Sequence, residues 1–144
     1  QHLLKVAHVP VVLHMALVMN AGRQPFSLDK KGQLALSLKP ILPGWLFTKN
    51  QADISFFDQS GQWQKVSLPK NTYAFNFLGS TLVVYHNAKR LDTFGSRRTV
   101  VGKITLTYPD KHEVTLSSDI IPAPYAHEIR GHKVSRIDVV LDSA

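Results

Sequence analysis

Apolar residues recur at every second position along most of this 144-residue chain, and that period constrains the fold most. A period of two places alternate side chains on opposite faces of an extended strand. Leu34, Leu36 and Leu38 alternate with small or polar residues, and Ile54 and Phe56 alternate with Asp53 and Ser55. Asp58-Gln59-Ser60-Gly61 then supplies turn chemistry: Asp hydrogen-bonds the local backbone and Gly takes positive φ. With Trp63 and Val66-Ser67-Leu68 beyond it, the segment 52–68 reads as a β-hairpin.

The same logic continues downstream. Tyr73, Phe75 and Phe77 alternate, Gly79-Ser80 interrupts, and Thr81 to His86 is dense in β-branched and aromatic residues. Asn87 to Arg98 is polar and basic and reads as a loop. A second hairpin turns at Pro109-Asp110-Lys111-His112, with Val101, Lys103, Thr105 and Thr107 on one face and Gly102, Ile104, Leu106 and Tyr108 on the other. Ile120 to Tyr125 carries Pro122 and Pro124 and reads as an extended connector, and Val134 to Leu141 is the last strand. His127-Glu128 and Arg130-Gly131-His132 read as an exposed polar loop.

No segment has sustained helical periodicity between caps. Residues 11–19 come closest, with Val11, Val12, Met15, Val18 and Met19 on one stripe behind Pro10. Valine is a poor helix former, so a strand is expected there. About eight short strands with closely spaced turns predict an all-β protein: a single domain over 1–144, an antiparallel β-sandwich of immunoglobulin-like type. The paired cysteines of true immunoglobulin domains are missing, since the chain has no cysteine. That also excludes disulfides, thiolate metal sites and a cysteine nucleophile.

The opening stretch QHLLKVAHVPVVLHMALVMN places His2, His8 and His14 six residues apart. On one strand face such neighbours lie about 20 Å apart, too far to share an ion. The stretch is expected to form two short strand pieces, or one edge strand with a bulge near Pro10. Leu3, Val9, Val11 and Leu13 would be buried, with His8 and His14 outward or at a rim. No HExxH or HxH occurs, so no metal site is assigned. No GxSxG elbow, GxGxxG or GxxxxGK[ST] loop appears either, so no catalytic residue and no cofactor is assigned.

Net charge is +7, which favours anionic partners, although the basic residues form no long run. Lys89-Arg90 and Phe94-Gly95-Ser96-Arg97-Arg98 form the best local cluster for an anion: an aromatic stacks while cations hold a carboxylate or phosphate. The repeated basic–aromatic interleaving of an RNA-binding sheet is lacking, which argues against nucleic acid. Trp45, after Pro43-Gly44, and Trp63, past a hairpin turn, are candidates for stacking on a sugar ring. Phe56-Phe57 requires one ring to point outward.

The expected function is a non-catalytic secreted or periplasmic β-sandwich module that binds a protein partner or a glycan. The alternatives are a histidine-based metal carrier or enzyme, and a basic anion- or nucleic-acid-binding domain. The chain begins with Gln1 rather than Met, which suggests a removed signal peptide or a trimmed boundary. No apolar run reaches the roughly 18 residues of a membrane helix. An exposed edge could also pair with a strand of another chain.

Overall fold

A computed structural model describes residues 18–144. Among them lie β1 (Phe26–Leu28), β2 (Leu34–Leu36), β3 (Ala52–Phe57), β4 (Trp63–Leu68), β5 (Thr72–Phe77), β6 (Thr81–His86), β7 (Thr99–Thr107), β8 (Glu113–Leu116) and β9 (Arg136–Ser143). One helix, α1 (Tyr125–Arg130), lies between β8 and β9. The fold is mostly β, as the period of two predicts. No described helix is long and apolar enough to cross a membrane.

The strands form two hairpins, β1–β2 and β3–β4, and one five-stranded sheet in the order β5-β6-β9-β7-β8. The β3–β4 hairpin keeps the predicted bounds, with Ile54 opposite Val66 and Phe57 opposite Trp63. Its inward positions Ile54, Phe56, Val66 and Leu68 pack on Leu82 and Val84, on one face of the large sheet. The opposite face carries the main core. There Val83, Tyr85, Ile104, Leu106, Ile137 and Val139 meet Leu36, Leu42 and Ile121. Strand β6 is therefore covered on both sides, which is why TLVVYH is a continuous apolar run rather than an alternating one.

Four expectations are corrected, the last of them at residues 18–21. The sheet is not purely antiparallel: β6 and β9 pair in parallel, with Val83 opposite Ile137 and Tyr85 opposite Val139. Parallel neighbours need a long crossover, and here β7, β8 and α1 all lie between them in sequence. Second, the segment read as an exposed loop near His127 is helix α1. Ala126 and Ile129, three apart, bury one stripe against the core, and Pro124 stands at its start, where a missing N–H costs nothing.

Third, the predicted faces of β7 fail at its beginning. The register slips between Val101 and Lys103, so Val101 lies opposite Leu141 while Lys103 lies opposite Val140. This bulge inserts one residue, Gly102, and moves Val101 to the core side with Ile104 and Leu106. A Cβ on Gly102 would sit 2.0 Å from Asp142 Oδ2, so glycine suits the crowded bulge.

Residues 18–21 form a helical turn, closed by Gly22 N donating to Val18 O at 2.9 Å. The strand expected over 11–19 therefore does not reach its last two residues. The rest of that segment, with the burial expected for Leu3, Val9, Val11 and Leu13 and the three-histidine ladder, lies outside the described residues. The turn is pinned to the sheet through Asn20: Tyr85 Oη donates to its main-chain oxygen at 2.5 Å, and Tyr73 Oη to its Oδ1 at 2.7 Å. Burial pushes both phenols above their ordinary ionisation range.

Candidate functional site: a basic groove

The loop 87–98 is anchored by hydrogen bonds at several points. Asn87 Nδ2 donates to Leu91 O and its Oδ1 accepts from Leu91 N, which folds the loop on itself. Thr93 then ties it to the segment before the Gly44–Leu46 turn. Its Oγ1 accepts from Leu42 N at 2.8 Å and donates to Pro40 O at 2.7 Å, and its N donates to Leu42 O. Asp92 Oδ1 accepts from Gly44 N at 2.8 Å. Gly44 is required there: a Cβ would stand 2.0 Å from Arg90 O.

These ties separate the predicted basic cluster into parts. Arg90 is committed to structure, because its Nε and one Nη donate to Phe47 O at 3.3 and 3.0 Å. Lys89 points away, with Nζ donating to Ser143 Oγ at 2.9 Å. Arg97 is exposed beside the groove and does not line it. Phe94 and Arg98 do line it, in an open concavity of about 670 Å³. Phe94 is 45% exposed, so its ring is available for stacking.

The structure adds two cations that the sequence pattern does not single out. Arg23 and Lys39 line the same groove as Arg98. They meet because Gly22, at φ +92°, lets the backbone turn tightly against Lys39, whose N donates to Ala21 O at 3.1 Å. None of the three cations forms an ion pair among the described residues, and no carboxylate lines this groove. A smaller hollow of about 330 Å³ continues past Lys39, Pro40, Thr93 and Arg98 toward Thr99, and Asp119 stands at its wall. No signal in the sequence links Gly22-Arg23, Lys39-Pro40 and Arg98, since the three cations lie in separate segments of the chain.

The predicted tryptophans lie elsewhere. Trp45 is 75% exposed on the Gly44–Leu46 turn, and Trp63 is 71% exposed at the start of β4. Trp63 meets Phe57 edge to face at a centroid distance of 5.3 Å, so Phe57 is the outward ring of the Phe56-Phe57 pair. Neither tryptophan lines the groove. Among the described residues no cluster of three or more His, Asp or Glu side chains is placed to hold a metal. His2, His8 and His14 lie outside those residues.

Chemically the groove can hold an extended anion. Cations from three segments present donors along an open surface, and Phe94 offers an apolar ring beside them. Ser27, Ser37 and Thr93 also line the groove and add hydroxyl groups beside the cations. No family model and no curated protein matches the chain, so its reading rests on this geometry.

Proposed function

We propose that this protein is a non-catalytic binding module that takes an acidic glycan in the groove of Arg23, Lys39 and Arg98. The observation that carries the reading is the convergence of three cations, without an ion-pair partner among the described residues, on a groove lined by no carboxylate. Carboxylate or sulfate groups along a sugar chain match such a row, and Phe94 suits the apolar face of a ring. A secreted or periplasmic setting fits that ligand class. An immunoglobulin-like sandwich is the architectural counterpart of this reading. Its support is the β3–β4 hairpin laid across Leu82 and Val84 as a second layer; the parallel β6–β9 pair is its main departure from that type.

The test is retention on heparin against retention on a plain cation exchanger. The wild type should stay on heparin above about half-molar salt, where scattered charge is screened. The triple variant R23Q/K39Q/R98Q should elute far earlier from heparin, beyond the shift that its lost charge gives on the exchanger. Equal shifts on both columns would sink the reading. Stronger retention on single-stranded DNA than on heparin would favour nucleic acid instead.

A second reading, a protein partner, is favoured by the exposed Phe57–Trp63 pair on the outer face of β3–β4. Substituting Trp63 by Ala would then abolish partner capture without moving heparin retention.

A further inference from the structure

Between the β3–β4 hairpin and the large sheet lies a second concavity, a cleft of about 630 Å³. The hairpin packs on Leu82 and Val84 of β6, and Thr107 of β7 and Arg136 of β9 line the gap beside it. One end is closed by Gln59, whose Nε2 donates to Val134 O at 2.8 Å. The volume lies within the range of small-ligand sites, about 300–1,000 Å³.

Arg136 is held in a fixed orientation. Its Nε donates to Asp138 Oδ2 at 2.8 Å and its Nη2 to Asp138 Oδ1 at 2.9 Å. Asp138 is steadied in turn by His86 Nε2 at 2.8 Å. Burial pushes the Asp138 carboxyl up, but the hydrogen bonds from His86 and Arg136 outweigh it and hold the group below its ordinary range. A guanidinium has five N–H donors, and Asp138 engages two. The end formed by Nη1 and the second Nη2 hydrogen has no partner among the described residues, and that fork matches a carboxylate bidentately.

Two more cations line the cleft, Lys65 and Lys111, neither in an ion pair among the described residues. The one carboxylate on its wall is Asp58. Its Oδ1 accepts from Ser60 N, Ser60 Oγ and Gln62 N, and its Oδ2 from Gln64 Nε2. Those bonds, led by the Ser60 hydroxyl, hold it down to about 2. Asp58 stays ionised, repels an anion from the hairpin end, and keeps lone pairs at Oδ2 that can accept from a hydroxyl.

We infer that the cleft binds a hydroxylated carboxylate of monosaccharide size, a sugar acid, with its carboxylate on the Arg136 fork and its hydroxyls toward Asp58. The cleft shares none of its lining with the groove and does not depend on the groove's reading.

The experiment is a titration of the full chain with sodium glucuronate, followed by backbone amide shifts, with glucose and inorganic phosphate as comparators. Glucuronate should saturate and move the amides of Ser80, Lys111 and Ser135. R136Q should weaken it by about tenfold or more, the loss expected for a charge-assisted pair. R98Q should leave it unchanged. Should R136Q fail to fold, the double variant K65Q/K111Q, two lysines outside any described ion pair, should weaken binding about threefold or more. The proposal is overturned if glucuronate does not bind, if glucose binds as well, if phosphate competes at equal strength, or if the cleft variants leave affinity unchanged. Loss of binding in R98Q would likewise overturn it, by moving the ligand to the groove.

Discussion

The groove and the cleft both collect three cations, but they hold them differently. In the groove, Arg23 and Lys39 reach out from separately anchored backbone segments, Arg98 makes one long bond from Nη1 to Gly95 O at 3.5 Å within its own loop, and the bonds of Thr93 fix the main chain. In the cleft, Arg136 is itself braced, by Asp138 and through it by His86. A braced cation loses little freedom on binding and dictates geometry, whereas unbraced cations tolerate ligands of varied shape. That difference is why we propose a polymer with repeating charge for the groove and a single compact anion for the cleft.

The largest effect should come from removing the brace. Asp138→Ala leaves Arg136 and His86 without their shared acceptor and should cost about 3 kcal/mol of stability. Urea denaturation reads that cost, and the cleft should lose ligand while heparin retention holds. A parallel loss at both sites would break the contrast. Next, Thr93→Val removes the acceptor for Leu42 N and the donor to Pro40 O, both buried, and should cost about 2 kcal/mol. This change should weaken the groove and spare the cleft.

A smaller effect concerns pH. The folded state holds the Asp138 carboxyl below its ordinary value of 3.8, so its contribution is present above that value and is lost as pH falls through the lowered one. The stability gap between wild type and Asp138→Asn should accordingly narrow from pH 7 to pH 3. A constant gap would show that the brace acts by shape alone. Smallest of all, Trp63→Ala removes only an exposed edge-to-face contact with Phe57 and should cost under about 1 kcal/mol, with both anion sites intact.

The elements differ in how far they were legible. The β3–β4 hairpin could be read because its alternation, Asp58 turn and Gly61 are all local, and one face alone is buried. Strand β7 departs from its predicted face at Val101 because a bulge flips parity without leaving a local mark beyond a single glycine, Gly102. Helix α1 is hidden in the sequence because six residues are too few for periodicity to show, although Pro124 before it and Gly131 after it are the available signals. Of the candidate site residues, Phe94 and Arg98 were legible as a basic–aromatic pair in one loop. Arg90 carries the same charge in sequence, yet Phe47 O engages its guanidinium.

The strand periodicity, the main turns, the lack of cysteine chemistry and the basic balance can all be read from the residues alone. All of these are properties of a residue and its near neighbours. The parallel β6–β9 pairing, the meeting of Arg23 and Lys39 with Arg98, and the bracing of Arg136 by Asp138 and His86 arise only on folding. Each of these joins residues far apart in the chain. What joins them is buried apolar area and the satisfaction of backbone groups, forces that select a whole arrangement and leave no signature at any single position.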